Sequence, residues 1–255
     1  MKKLLTLGLF ILLVTRSMLA FANIDLRSLR VGISPLHFPF SFKDKYSDND
    51  FSGFDIDVIK GITTVLDVKN VKYIPLKEEE LVNAVENGSV DIAMSGLPIE
   101  KENPEVEYIG PYLEGGLNAL ILSSNSGKII RPSDLIDKEI CVIAHTPSEK
   151  YVKRIKHAKI KFQNNLQESL NRLDSRSCVA VIDDSVFIKW MLVNTSHKGK
   201  YTNLPVNLTN SMLGIAISSS NPNLKEQIEL GFRAIIANGD YDKYYLNWFG
   251  RKNDM

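Results

Sequence analysis

Cysteine, histidine and tryptophan are scarce in this sequence of 255 residues, which contains only 2 cysteines, 4 histidines and 2 tryptophans. The histidines lack the spacing of zinc ligands, so we expect no metal site; they are His37, His145, His157 and His197. Three enzyme motifs are also missing: the G-x-S-x-G elbow, the P-loop and the H-E-x-x-H helix. These absences argue against a zinc enzyme, a nucleotide hydrolase and a serine hydrolase.

The sequence also lacks an excess of either charge, with 31 Lys and Arg against 30 Asp and Glu. Binding to nucleic acid depends on clustered basic side chains that neutralise phosphates and release counterions. The one basic cluster has the spacing of a single solvated helix face and consists of Lys150, Lys153, Arg154, Lys156 and Lys159. We therefore do not expect nucleic acid as a partner.

The N-terminal residues have the pattern of a secretory signal peptide. Two lysines near the start are followed by the apolar run 4–15 and by a small-x-small sequence at 20–22. The apolar run is shorter than the ~20 residues that a membrane-spanning helix needs. We predict a signal peptide over residues 1–22, cleaved after Ala22, and a periplasmic location.

After this segment, short apolar runs of strand type alternate with amphipathic segments of helix type, which is the pattern of parallel α/β sheets. The pattern occurs twice, as a βαβαβ set over residues 29–94 and a second set over residues 140–182. An extended apolar run follows each set, at 116–123 and at 212–218. The last part of the chain, 224–249, has the pattern of two helices.

The two sets predict an α/β fold of two lobes, each a mostly parallel sheet flanked by helices, joined by two crossing hinge strands near 114–121 and 208–217. The first lobe would consist of residues 23–117 and 211–255, and the second of residues 118–210. Ligands bind between such lobes, because parallel strands end and helix N-termini converge there. The sequence has no Gly-rich linker between the sets, so we expect a hinge that closes over a ligand.

Five motifs occur in a fixed order along the chain: LRVGISPLHFPF at 29–40, GFDID at 53–57, VDIAMSG at 90–96, GPY at 110–112 and CVAVIDDS at 178–185. In order and spacing they resemble the periplasmic solute-binding proteins of polar amino-acid ABC transporters, of the family 3 type. The resemblance implies a periplasmic-binding-protein-like fold that captures a small polar ligand, an amino acid or an amino-acid-like compound, cationic or atypical. Such a protein would deliver its ligand to the membrane permease of an ABC transporter, as a monomer without cofactor or catalysis.

Asp184 is the sharpest candidate for a ligand contact. It follows an apolar strand at the point where the strand meets the cleft, so its carboxylate could pair with a ligand ammonium. By resemblance it matches the family's acceptor for the amino group. The alternative is a cap for the helix that begins at Ser185, a common role for aspartate, and Asp183 could exchange roles with it.

Other candidates come from strand ends and from the resemblance. Thr146 precedes a helix opening, where a hydroxyl and backbone N–H groups can surround an anion. The resemblance implies that the backbone of Ser95-Gly96 binds the amino group and that His37 occupies a position where an aromatic ring stacks on the ligand. Asp55, in the GFDID motif, is expected to cap the following helix, a structural role.

The family pattern fails at ligand-contacting positions. An arginine that grips the ligand carboxylate is expected about seven residues after the Ser95-Gly96 turn, and the sequence has Asn103 there. Pro98 replaces a hydroxyl-bearing residue, and Lys101 is the one cation nearby. Glu78 stands where an aromatic ring is frequent, and Ser34 where an acidic residue is frequent.

These departures favour a cationic or carboxylate-poor ligand, which fits Asp184, Glu78 and Glu100. Two alternatives stay open for the site. Lys101 and Thr146 could still hold a carboxylate, and a cleft glutamate could act as the acid of a cyclohexadienyl or arogenate dehydratase built on the same scaffold. A ligand-sensing role is the third possibility.

The two cysteines are predicted to form a disulfide within the second lobe. Cys141 opens the first strand of that lobe and Cys178 opens the third, and doubly wound sheets place these strands side by side. Neighbouring strands lie ~4.8 Å apart, within disulfide range, and export favours oxidation. The alternative is a pair of buried thiols that act as small apolar residues.

Overall fold

The computed structural model describes residues 26–44, 46, 50–100, 102–144, 146–194 and 199–250. The strands of this part are β1 (Ser28–Ile33), β2 (Leu36–His37), β3 (Ser41–Lys43), β4 (Phe51–Ser52), β5 (Asn70–Pro75), β6 (Ile92–Ala93), β7 (Val106–Gly115), β8 (Leu117–Leu122), β9 (Glu139–Ile143), β10 (Lys159–Gln163), β11 (Ala180–Asp184), β12 (Tyr201–Asn203) and β13 (Ser211–Ser218). Its α-helices are α1 (Phe54–Val65), α2 (Leu81–Glu86), α3 (Pro147–Val152), α4 (Leu166–Asp174), α5 (Ser185–Asn194), α6 (Pro222–Ala237) and α7 (Asp240–Phe249).

Two five-stranded sheets organise these elements. We call the first lobe the sheet of order β5-β1-β6-β13-β7 with helices α1, α2, α6 and α7, and the second lobe the sheet of order β10-β9-β11-β8-β12 with helices α3, α4 and α5. In each sheet four strands point the same way and one, β13 or β8, runs opposite. The predicted α/β architecture of two mostly parallel sheets is therefore confirmed.

The central strands of each sheet form where the sequence predicts them because they are buried on both faces. Val31 and Ile33 of β1 are fully buried in the core that also contains residues of α1, α6 and α7, and Ile140 and Val142 of β9 are fully buried in the core of the second lobe. The sequences of parallel strands that are covered on both faces are nearly continuous apolar runs. A short sheet of β2, β3 and β4, which the sequence did not predict, lies beside the first lobe.

The crossings between the lobes are more compact than predicted. β7 ends at Gly115 in the first sheet, β8 begins at Leu117 in the second, and β13 lies entirely in the first sheet. Gly116 between them has φ +123°, and a Cβ there would come within 2.1 Å of the Thr209 carbonyl oxygen. The Leu117 N–H donates to the Thr209 hydroxyl at 2.9 Å. The two crossing segments therefore touch at one point, where only glycine fits.

Aromatic side chains join the two lobes beside these crossings. Phe38 of β2–β3 packs its ring 4.4 Å from the Trp190 ring and 6.2 Å from the Phe187 ring, both on α5 of the second lobe. On the other side, its centroid is 6.4 Å from that of Trp248 in α7 of the first lobe, and Phe42 lies 6.1 Å from Trp248. These five rings form what we call the aromatic bridge.

Cys141 and Cys178 form a disulfide, as predicted, with Cα atoms 5.9 Å apart. Strand β9, which contains Cys141, pairs directly with β11, which begins two residues after Cys178. Both cysteines are buried among leucines that include Leu170 and Leu173 of α4. The bond therefore ties the centre of the second sheet to the turn that follows α4.

No helix in the described part of the chain is both long enough and apolar enough to span a bilayer. The predicted signal peptide and its cleavage site lie outside the described residues.

Candidate functional site

A cleft of about 1080 Å³ separates the lobes. Four of the predicted site residues line it: Glu78 and Pro98, Asn103 and Thr146. Its wall from the first lobe carries three glutamates, and its wall from the second lobe carries one glutamate and two lysines; these charged residues are Glu78, Glu79, Glu100, Glu149, Lys150 and Lys153. Lys153 is already paired with Glu149 at 2.5 Å. The lining therefore has an excess of negative charge.

Three predicted site residues from opposite lobes come together. His37 of β2 and Glu78 of the first lobe face each other, with 3.6 Å between His37 Nδ1 and Glu78 Oε2. Asp184, at the end of β11 in the second lobe, is close enough to both that their charges act on it. Burial raises the pKa of Asp184 above its ordinary value, backbone hydrogen bonds and the His37 charge lower it, and the Glu78 charge raises it further.

Asp184 also caps a helix. Its Oδ1 atom accepts hydrogen bonds from the backbone N–H groups of Val186 at 2.9 Å and Phe187 at 2.8 Å, the first turn of α5. One oxygen of this carboxylate therefore acts as the helix cap that the sequence offered as an alternative. Within the described residues, its Oδ2 atom accepts no hydrogen bond, so one oxygen of Asp184 remains for a ligand.

The neighbouring Asp183 is oriented differently. Its Oδ1 atom accepts the Asp184 N–H at 2.8 Å, and burial raises the pKa of Asp183 to about 6. The strand places successive side chains on opposite faces. The two aspartates are therefore not interchangeable in this geometry.

The backbone of Ser34 and the side chains of Ser41 and Ser95 form a buried hydrogen-bond network. The Ser95 hydroxyl is 2.8 Å from the Ser41 hydroxyl and accepts the Ser34 N–H at 3.3 Å, while Ser41 Oγ donates to the Ser34 carbonyl at 2.7 Å. Gly96 follows with φ +63°, and a Cβ there would lie 2.7 Å from the Phe40 ring. The Ser95-Gly96 turn is therefore fixed from below by hydrogen bonds and packing.

Asp55 completes this support, and its role differs from the predicted helix cap. It lies in the first turn of α1, whose N-cap is Gly53, and makes no capping bond. Instead its Oδ2 atom accepts the Gly96 N–H at 2.8 Å and the Tyr112 hydroxyl at 2.9 Å. Burial raises the pKa of Asp55 to about 7, against the opposing effect of these two bonds. One carboxyl group thus connects three of the sequence motifs.

Two of the groups that would hold a ligand carboxylate are engaged within the protein. Asn103 Oδ1 accepts the Glu105 N–H at 3.0 Å, and its amide donates to Glu86 at 3.5 Å. The Thr146 hydroxyl donates to the Ile143 carbonyl at 2.7 Å. Lys101 and His145 lie outside the described residues. The side chains of Asn103 and Thr146 therefore already donate hydrogen bonds to protein groups, and neither carries a positive charge for a ligand carboxylate.

Sequence reasoning missed two parts of the site. Tyr108 and Val82 line the cleft, and Tyr108 belongs to β7, which the sequence did not predict because Gly110 and Pro111 interrupt its apolar pattern. Asp55 was assigned a local role because its partners, Gly96 and Tyr112, are distant along the chain. The sequence signal that could have indicated this role is the presence of a carboxylate, a glycine turn and a tyrosine in three motifs of fixed order.

No group of three or more His, Cys, Asp or Glu side chains suited to a metal occurs among the residues described above.

Comparisons with known proteins agree with this geometry. The chain is 24% identical over 258 residues to the histidine-binding periplasmic protein of Escherichia coli (strain K12), covering 98% of this chain and 97% of that one. A solved ancestral cationic amino acid solute binding protein superposes with a TM-score of 0.75 and 31% identity, over 88% of this chain and 96% of the other.

A second solved structure is an ancestral amino acid-binding protein described as a precursor of cyclohexadienyl dehydratase, with a TM-score of 0.65 and 30% identity over 88% of this chain and 96% of that one. The relatives compared are thus binding proteins, which supports the expectation that the chain is not an enzyme.

The bacterial extracellular solute-binding proteins, family 3, match this sequence over residues 29–251, nearly the whole described part. By its description the family is extracellular, and a further relative is the ABC transporter glutamine-binding protein of Bacillus subtilis (strain 168), 23% identical over 205 residues that cover 79% of this chain and 74% of that one. The order of motifs, the two-lobed fold and the interlobe cleft all agree with that match. The chain belongs to the bacterial extracellular solute-binding proteins, family 3.

Proposed function

We propose that the protein captures a small ligand with an ammonium or other cationic group in the interlobe cleft and delivers it to the permease of an ABC transporter. The observation that carries this proposal is that Asp184 of one lobe lies within electrostatic range of His37 and Glu78 of the other, which face each other at 3.6 Å. A ligand whose cationic group pairs with both Asp184 and Glu78 would contact both lobes at once. Its binding energy favours the closed arrangement over an open one.

The charge of the cleft supports a cation. The raised pKa of Asp184 shows that burial disfavours its ionised form more than its protein partners stabilise it. A ligand ammonium would supply the missing opposite charge and a charge-assisted hydrogen bond to Oδ2. The excess of glutamate in the lining acts in the same direction, and the engaged Asn103 and Thr146 make a carboxylate grip weaker.

A calorimetric melting screen tests the proposal. The panel contains L-arginine, L-lysine, L-histidine, L-glutamine, putrescine, octopine and a dipeptide. We expect the cationic compounds to raise Tm more than L-glutamine, because only a bound ligand stabilises the folded state by mass action. A rise with neutral or anionic compounds alone would contradict the cationic preference. Incubation with prephenate and arogenate tests the dehydratase alternative directly, since turnover of either would replace the transport proposal.

Replacing Asp184 by asparagine is expected to weaken binding of the tightest panel compound by at least about tenfold, or ~1.4 kcal/mol. Asparagine caps helices as well as aspartate does, so the bonds to Val186 and Phe187 are kept while the charge is lost. Titration calorimetry gives the affinity, and the melting temperature of the free protein checks the cap. The matched control is Asp183→Asn, and an Asp184→Asn affinity within tenfold of wild type would refute the assigned role.

We also propose that the lobes close as a hinge, with residues 23–117 and 211–255 moving against 118–210. Hinge closure around a ligand is a common motion of two-lobed binding proteins. Small-angle scattering of the wild type is expected to show a smaller radius of gyration at a saturating concentration of the tightest panel compound. An unchanged radius with bound ligand would show that binding occurs without closure. The same data give the molecular mass and so test the expected monomer.

A further inference from the structure

The two lobes carry opposite net charges, although the whole sequence is almost neutral. Residues 118–210, the second lobe, contain fourteen Lys and Arg against eight Asp and Glu. Residues 23–117 and 211–255, the first lobe, contain fourteen Lys and Arg against twenty-two Asp and Glu. The formal net charge is therefore positive by six on the second lobe and negative by eight on the first. Opposite charges attract, so this distribution favours the arrangement in which the lobes are closest.

Unpaired side chains of both signs face the cleft. Its first-lobe wall includes Glu79 and Glu100, and its second-lobe wall includes Lys150. All three side chains are exposed, and none forms an ion pair or a hydrogen bond with the residues that the structure describes. The other lysine of the second-lobe wall, Lys153, is held by Glu149. Lys150 is therefore the lining lysine that stays available to an acidic group of the opposite lobe.

The ion pairs among the described residues all lie within one lobe or the other. In this arrangement the attraction between the lobes therefore acts only over a distance. Salt screens such an attraction beyond about 8 Å at about 0.15 M and beyond about 30 Å at about 0.01 M. Closure that brings Lys150 to the acidic wall would add a direct ion pair, which acts at short range and so persists at about 0.15 M salt.

We propose that closure of the cleft is stabilised by an ion pair across it, which Lys150 of the second lobe forms with Glu79 or Glu100 of the first. The opposite net charges of the lobes act in the same direction. The inference rests on the hinge closure proposed above and adds to it a stabilisation of the closed form that the protein carries without a ligand. A larger closed population raises the apparent affinity for every compound that binds the closed form.

Lys150→Glu and Lys156→Glu are the matched pair of variants. Both exchange an exposed lysine of the second lobe for glutamate, so they reduce the net charge of that lobe equally. Lys150 lines the cleft, whereas Lys156 lies in the turn after α3 and does not line it. Glu79→Lys and Glu100→Lys, each combined with Lys150→Glu, place opposite charges across the cleft again in exchanged positions. We call these two combinations the charge-exchanged variants.

Small-angle scattering of the ligand-free protein, extrapolated to zero protein concentration, is the first measurement. The radius of gyration of the wild type is expected to be smaller at about 0.01 M salt than at about 1 M salt, where charges interact only within about 3 Å. At about 0.15 M salt the direct pair should change the ratio of closed to open molecules by up to about fivefold. Lys150→Glu should therefore have a larger radius than the wild type there, and Lys156→Glu should keep the wild-type radius.

At least one of the charge-exchanged variants should recover the wild-type radius, and the variant that does so identifies the partner of Lys150. A wild-type radius that does not change with salt would overturn the inference. Equal radii of Lys150→Glu and Lys156→Glu, or an expanded form in both charge-exchanged variants, would overturn it as well. All of these results are obtained without a ligand.

Calorimetric titration with L-arginine, L-lysine or putrescine, whichever binds most tightly, is the second measurement. Lys150→Glu adds negative charge to the cleft, which by itself would strengthen the binding of a cation. Loss of the ion pair acts in the opposite direction, and we expect Lys150→Glu to bind up to about fivefold more weakly than Lys156→Glu. A charge-exchanged variant should restore the affinity, which it would not do if Lys150 contacted the ligand itself. Equal or tighter binding by Lys150→Glu would contradict the inference.

Failure of the proposed function and failure of this inference give different results. If no compound of the panel binds, the proposed function fails, and the scattering of the ligand-free protein still decides whether Lys150 stabilises the closed form. If a compound binds and compacts the wild type, while the radius of the ligand-free protein does not change with salt, the hinge closure holds and the inference about Lys150 fails.

Discussion

Removal of the Cys141–Cys178 disulfide is expected to lower the free energy of unfolding by about 3 to 4 kcal/mol. The bond joins residues 37 positions apart and so closes a long loop in the unfolded chain. A free chain has more conformations than a cross-linked one, and that entropy difference is the stabilisation. Urea denaturation followed by circular dichroism should show the loss in the double variant Cys141→Ala, Cys178→Ala.

The reduced wild type is the control for this prediction. It keeps both side chains, which are 0% and 2% exposed, and lacks only the covalent bond. The double alanine variant loses the bond and also some buried sulfur packing. We therefore expect the reduced wild type to lose most of the 3 to 4 kcal/mol and the variant slightly more. A reduced protein as stable as the oxidised one would contradict the entropic account.

Asp55→Asn is expected to stabilise the protein increasingly as pH rises from acid to above neutral. Burial raises the pKa of Asp55 from 3.8 to about 7, so the folded state holds this proton more tightly than the unfolded state. Below pH 3.8 the Asp55 carboxyl group is protonated in both the folded and the unfolded state, so it does not change the free energy of unfolding. Between 3.8 and about 7 the unfolded state releases the proton first, and stability falls as pH rises.

At about 1.4 kcal/mol per pH unit, the accumulated cost above neutral pH is about 4 kcal/mol. Asparagine cannot ionise, so the difference in unfolding free energy between Asp55→Asn and wild type should grow over that range and then level off. Urea denaturation at a series of pH values measures it. A difference that does not change with pH would show that Asp55 stays neutral or is ionised at little cost.

The fold was predictable where the chain has strong local patterns. Strand β1 and helices α1 and α4 fall inside the two predicted βαβαβ sets to within one residue, because their apolar residues follow the periods of strand and helix. The disulfide was predictable from the order of two strands. The sheet of β2, β3 and β4 was not, since strands of two or three residues are too short to show a period.

The site was predictable only in outline. Asp184 stands at a strand end that any parallel sheet would place in the cleft, and the structure shows that one of its oxygens is also used as a helix cap. Thr146 lines the cleft, but its hydroxyl donates to the Ile143 carbonyl. Hydrogen-bond direction is set by rotamers and distant neighbours, as for Asp55 and Gly96, and a linear pattern of residue types does not contain it.

The aromatic bridge has a spectroscopic consequence. The chain contains 2 tryptophans, and both lie in the bridge: Trp190 on the second lobe and Trp248 on the first, with Phe38 between them. Any rotation of the lobes that separates Phe38 from Trp190 brings water to an indole ring. Indole fluorescence shifts to longer wavelength when its surroundings become more polar. The tryptophan fluorescence of the unmodified protein is therefore expected to report the separation of the lobes, because the chain has no indole ring outside the aromatic bridge.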